Sequence, residues 1–429
     1  MEKEDNLQSV IPKKSVFTTF LTRNVIFLAL ISLLADLSSE MILPLLPFFV
    51  IDYLGGNGVI VGLISGLSNF VVASLKVIFG FISDRVKNRT RLLFAGYFWP
   101  IIAKIGIAFS QSWIGVTIWR PLERIGKGIR SSPRDALLSD SIELQYQGRA
   151  FGVHRAMDTT GAVLGVTVSF LLILFTTLEL KWIIFIGAMV GFLSIFPIFG
   201  TREVRKVEEK QDQTNETSSY STDLKKEIFS IKYILVVISA ILFSLGTVSE
   251  FFFLLAGGAV EVNWVASIVA DPIREKIILA LLLYLIYNIV YASISYPAGK
   301  LADKIGMELA LLLGILLMTI TLAGFAFWLN GITVFIFIII YGLSMGFIEG
   351  NQRALIGFLA KKRTKGAQYG IYYMFIGFAA ILGGYITGFL YDIDSMWTFV
   401  FGGICMVAAA IPLEILLRKY KNNKHEQSS

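Results

Sequence analysis

Residues 119–135 read WRPLERIGKGIRSSPRD, in which five basic and two acidic side chains crowd one short run. On a helix of 3.6 residues per turn, Arg120, Arg124, Lys127 and Arg134 fall near one stripe, with Glu123 and Arg130 beside it. Guanidinium and ammonium groups arrayed this way can hold an anion, and carboxylates beside them can exchange a salt bridge for a proton. More ionisable residues recur deep in neighbouring apolar segments: Asp36 and Glu40, then Lys76, then Arg155 and Asp158. His154 stands four residues before Asp158 on the same helix face, which allows a proton relay or a simple hydrogen-bonded helix contact. Lys76, Arg120, Arg124, Lys127, Arg130 and Arg155 supply six positive charges, against four negative from Asp36, Glu40, Glu123 and Asp158. The excess favours an anionic guest.

The elements that must position these charges are apolar. The chain has 429 residues, 55% hydrophobic and only 16% charged, with a mean hydropathy of +0.70. A soluble protein carries about 25% charged residues, so the deficit implies an integral membrane protein. The net charge of +7 calls for no nucleic acid, because membrane proteins gather Lys and Arg in cytoplasmic loops. One cysteine, Cys405, leaves no internal disulfide, and two histidines, His154 and His425, supply no metal cluster. No phosphate-binding Walker loop is present, so neither direct nucleotide energy nor any cofactor is expected. The first residues, MEKEDNLQSVIPKK, lack the apolar core of a secretory signal and read as a retained cytoplasmic tail.

A helix needs about 20 apolar residues to cross a bilayer. That rule places spans near 24–50, 57–83, 91–110, 112–138, 149–176 and 182–200. A second set follows near 232–256, 277–300, 308–328, 331–358, 369–390 and 396–417. The expected fold is therefore all-α, twelve transmembrane helices in two six-helix bundles, 24–200 and 232–417. Residues 1–23 and 418–429 are tails, and the polar stretch 201–231 is a linker. With both termini inside, the inner segments collect most Lys and Arg, whereas the outer loops keep only Lys181, Arg274 and Lys276. The positive-inside rule then sets both termini in the cytoplasm. A charge at mid-membrane costs about 2.5–3.5 kcal/mol, so ten facing lipid would cost on the order of 25–35 kcal/mol. They must face each other or water, lining a central path. Lys104, in the third span, is expected to snorkel outward.

The halves repeat. GFISDR at 80–85 has a counterpart in GKLADK at 299–304, and Arg134 has one in Arg353. Asp84 precedes Arg134 by 50 residues, and Asp303 precedes Arg353 by the same 50. Ser39-Glu40 aligns loosely with Ser249-Glu250, and GRAFGVHR at 148–155 with GAQYGIYY at 366–373.

These features resemble the major facilitator superfamily across all twelve spans. Its loop after the second helix is matched by Gly80, Asp84, Arg85 and Arg89, with Lys87 where a second glycine is usual. The second copy keeps Gly299, Asp303, Lys304 and Gly306. The resemblance implies a gating latch in which each aspartate pairs with a basic group or a helix end, with Arg134 and Arg353 beside it. Arg120, Gly126 and Gly128 match a fourth-span motif that the family's antiporters use in proton coupling. The fifth-span antiporter motif is half present: Gly161 and Gly165 fit, while Val166 replaces its proline. GKGIRSSPRDA and GRAFGVHRAMD look like a largely uncharacterised prokaryotic branch.

Where the first half offers charge, the second offers Tyr284, Tyr287, Asn288 and Tyr291 on one face, with Glu250, Glu349 and Tyr372 on neighbouring spans. Asp36 or Glu40, with Asp158, is expected to neutralise Arg120 and Arg124. The combined reading is a secondary transporter, not an enzyme, moving a small organic solute by alternating access with proton coupling. It would work as a monomer in the cell membrane. A uniporter or multidrug-type efflux pump for neutral or cationic compounds, with the charges as gates only, is the alternative. An intramembrane enzyme is a remote third.

Overall fold

The computed structural model describes residues 21–86, 88–143, 146–204, 230–267, 269, 271–359 and 365–426. The first half runs as α1 (Arg23–Tyr53), α2 (Gly58–Arg85), α3 (Arg89–Ala108), α4 (Trp113–Asp140), α5 (Gln147–Phe175) and α6 (Leu180–Gly200). The second runs as α7 (Ile231–Gly258), α8 (Pro272–Ile305), α9 (Met307–Phe327), α10 (Thr333–Leu359), α11 (Lys365–Ile393) and α12 (Ser395–Glu426). Among the described residues, eleven of these twelve helices are long and apolar enough to cross a membrane. The exception, α4, has the length and fails on its charge, as its sequence foretells.

One span departs from expectation. The seventh was expected to be continuous over 232–256, but α7 is unwound at Thr247–Ser249, and the Ser249 side chain caps its second part by accepting from the Phe251 amide. Serine's oxygen satisfies an amide left open by the break. Helix ends also outrun the apolar windows: α8 starts at Pro272, capped by Asp271, and stops where Gly306 takes φ +95°. Glycine alone adopts that angle without strain, which accounts for the glycine in the second loop motif.

Small residues set the packing within each half. On α5, a Cβ at Gly161 or Gly165 would overlap the Leu33 or Leu37 carbonyl of α1. On α11, a Cβ at Gly383 would overlap the Leu245 carbonyl of α7. Gly165 and Gly383 are 218 residues apart (383 − 165), so α5 on α1 and α11 on α7 are the same contact made twice. Gly126 lets α4 meet Pro100 of α3, and Gly128 lets it meet Leu75 of α2.

Between the halves, α2 crosses α11 and α5 crosses α8. At the end of the bundle remote from the termini the crossing is backbone on backbone, with Gly58, Gly62 and Gly66 against Gly388, Gly384 and Ala380. Asp392 of α11 accepts from the amides of Gly58 and Val59, at 2.6 and 2.9 Å, and so caps α2 from the other half. Arg274 of α8 donates to the carbonyls of Ile173 and Thr176 at the end of α5. An anion at a helix start and a cation at a helix end each complement the helix dipole. This end of the molecule is closed.

A side chain at Gly62 has no room while the two backbones touch. Gly62→Leu should therefore hold the remote ends apart. In a Cys405→Ser background, Val59→Cys with Asp392→Cys should cross-link readily and lose that cross-link on adding Gly62→Leu. Unchanged cross-linking would refute the backbone seal.

Candidate functional site

The charged run on α4 resolves into two layers. Arg120 Nη1 bonds Glu123 Oε2 at 2.6 Å, with both side chains almost fully buried, and Arg124 Nε lies 3.7 Å from the same carboxylate oxygen. The expectation that Asp36, Glu40 or Asp158 would neutralise Arg120 and Arg124 is corrected here. Residues three apart on a helix are neighbours, so Glu123 reaches Arg120 without leaving α4. Glu40 instead accepts from Tyr284 Oη at 2.8 Å, across the interface between halves. Lys104 does not snorkel: its Nζ donates to Ser38 Oγ at 2.8 Å and Ser39 Oγ at 2.9 Å, and the residue is 3% exposed. Each serine donates its own proton to a backbone carbonyl, of Gly187 and Ala35, which turns its lone pairs toward the lysine.

Nearer the termini lies a cavity of about 510 Å³ between the halves. Its first-half wall carries Asp36, Lys76, Lys127, Arg130, Arg134 and Asp135, with Arg155 and Asp158 from α5. Its second-half wall carries Glu349, Tyr369 and Tyr373. Five of these are basic (Lys76, Lys127, Arg130, Arg134, Arg155) and four acidic (Asp36, Asp135, Asp158, Glu349). Two pairs partly cancel: Arg134 with Asp135 at 3.0 Å, and Arg155 with Glu349 at 3.9 Å across the interface. Arg134 also donates to Ser32 Oγ of α1. Arg130 lies over the Tyr97 ring, 4.4 Å from its centre, a cation–π contact that aims the guanidinium. His154 Nδ1 is 3.6 Å from Asp158 Oδ2, and among the described residues neither His154 Nε2 nor Asp158 Oδ1 has a hydrogen-bond partner.

The tyrosines of α8 form a stack of rings beside the cavity residues. Tyr284, Tyr287 and Tyr291 stack along α8, and Tyr287 stacks on Tyr341 of α10 with ring centres 4.8 Å apart. Tyr291 Oη accepts from Arg155 and donates to Glu349, bridging the halves. Two candidates are corrected: Asn288 is buried and donates to its own helix at the Tyr284 carbonyl, and Tyr372 is buried edge-on against Tyr373. Tyr369 and Tyr373 take the cavity positions instead, and the sequence's one clue was the run of tyrosines on that turn.

The family model described as Major Facilitator Superfamily matches residues 28–270 and 275–429. The chain is 34% identical over 410 residues to the uncharacterized MFS-type transporter MJ1317 of Methanocaldococcus jannaschii, covering 96% of this chain and 98% of that one. This chain belongs to the major facilitator superfamily. It is also 23% identical to multidrug resistance protein MdtH of Proteus mirabilis, over 86% of this chain and 87% of that protein. Its fold is that of the nucleoside transporter NupG, with a TM-score of 0.72 at 14% identity, over 92% of this chain and 99% of NupG.

The family's loop residues can be placed in part. Gly80 faces the 510 Å³ cavity near Ser132. The side chains of Asp84, Arg85 and Arg353, and Lys87 entirely, lie outside the described residues. Arg89 pairs with Asp140 of α4 at 2.6 Å, and Glu203 accepts from the Arg89 and Thr90 amides at the start of α3. In the second copy, Gly299 faces open space, and Asp303 and Lys304 are exposed.

Buried Glu123 decides whether α4 can keep Arg120. Glu123→Ala should cost about 3–5 kcal/mol, because it strands a guanidinium that cannot deprotonate. Replacing both residues, Arg120→Leu with Glu123→Leu, should recover most of that loss in denaturant unfolding of the purified protein. A double variant as unstable as Glu123→Ala would overturn this account.

Proposed function

We propose that this superfamily member is a secondary transporter that moves a small organic anion across the cell membrane by alternating access, coupled to protons. The observation that carries the reading is the cavity between the halves, whose basic side chains outnumber its acidic ones. The distribution of Lys and Arg supports cytoplasmic termini, which makes the glycine-sealed end the outer one and the charged cavity inward. Lys127 and Arg130 hold the anion. Asp36 and Asp158, in the same wall, oppose it while ionised. A proton on either carboxylate removes a negative charge and strengthens anion binding, and by linkage the bound anion favours protonation to the same degree. The protein works as a monomer, since each copy contains both halves of the path.

A second reading, efflux of neutral or cationic compounds with the charges as gates, is supported by the likeness to MdtH and by the tyrosine wall. Thermal-shift titrations with monocarboxylates, organic phosphates and organic ammonium ions, at one acidic and one neutral pH, separate the two. Anions should stabilise the wild-type protein more at acidic pH. Asp158→Asn should weaken that pH dependence, and Lys127→Gln should weaken anion binding about tenfold, or about 1.4 kcal/mol. Stabilisation by ammonium ions alone would replace the anion reading with the efflux one.

A further inference from the structure

The break in α7 opens onto a second cavity, of about 270 Å³, which shares Lys76 and Tyr373 with the first. Its walls include Asn69 of α2, Glu250 at the start of the second part of α7, and Gln352 of α10. Among the described residues, the side chains of Asn69, Glu250 and Gln352 make no hydrogen bond or ion pair. In the membrane interior such groups are costly unless water or a ligand satisfies them. Two amides and a carboxylate converging on one space offer a guest both donors and acceptors. Lys76 stands where the two spaces meet, so one molecule reaching past it touches basic groups at one end and Glu250 at the other.

We infer that the substrate is a zwitterion: its anionic group rests on Lys127 and Arg130 in the first cavity, and its ammonium group reaches Glu250 in the second. This rests on the anion reading above and adds the second charge. Asn69 and Gln352 supply hydrogen bonds to the polar atoms between. Glu250 also lies within the electrostatic reach of Arg120 and Tyr341, so a purely structural part, balancing charge in the α4 core, has to be told apart.

A matched probe series does this. Full-length purified protein is titrated with ω-amino carboxylates of increasing chain length and with the alkanoates of the same lengths, which lack the ammonium. In the wild type, one chain length of the amino series should bind at least about tenfold tighter than its alkanoate, or about 1.4 kcal/mol. Glu250→Gln should bring that ratio close to one, and Glu250→Asp should restore part of it. A structural role would weaken both series by one factor and leave the ratio standing, which would overturn the assignment. Equal binding of both series by the wild type would overturn it too, while leaving the anion reading intact. Binding of neither series at any length also counts against the zwitterion, and the anion reading then stands or falls on its own titrations.

Discussion

An ion inside a bilayer must find its partner within the protein, and α4 brings more ions into the bilayer than any other span. Each unpaired one would cost about 2.5–3.5 kcal/mol, and a folded domain has only about 5–15 kcal/mol of net stability to lose. The arrangement of the first half follows from that constraint. Glu123 serves two arginines at once, Lys104 is satisfied by two serines of α1, and Arg130 is held over a tyrosine ring. Gly96, Gly126 and Gly128 bring α2, α3 and α4 close enough that lipid cannot reach the buried pair. Beyond those contacts, Lys127, Asp36 and Asp158 line the cavity between the halves.

The contacts between halves divide by strength and kind. At the end remote from the termini they are backbone crossings at glycine together with two charged side chains on helix ends. Charge-on-dipole contacts of this sort contribute about 0.3–2 kcal/mol each. Apolar packing adds to that seal, since Phe48 of α1 is buried against Gly258 at the end of α7. Elsewhere the halves are joined by hydroxyl bridges, Tyr284 to Glu40 and, at the cavity, Tyr291 to Arg155 and Glu349. A phenol both donates and accepts, so the same rings can stay bonded as the neighbouring charges change.

The twelve helices and their two sets of six were legible in the sequence because a span is a local property: about twenty apolar residues in a row satisfy their own backbone and the lipid together. The duplication was legible too, since equal spacing survives in the text, and Gly165 and Gly383 show that it marks equal packing. The fourth span was read at 112–138 by the same rule, and α4 runs from Trp113 to Asp140.

Partner choice was not legible. Arg120 could have met Asp36, Glu40 or Asp158 by depth alone, and it met Glu123, one helical turn away on its own helix. Lys104 was one long side chain among apolar residues until α3 packed on the serines of α1. Asn288 and Tyr372 lie on polar faces by periodicity, yet turn into their own packing, while Tyr369 and Tyr373 reach the cavity. The sequence by itself determined which segments cross the membrane, how the halves correspond and which residues bring charge into the interior. Which carboxylate neutralises which cation, where α7 breaks and which side chains share a cavity were decided by tertiary structure. Those depend on distances of a few ångströms between helices far apart in the chain, and one-dimensional spacing carries no such information.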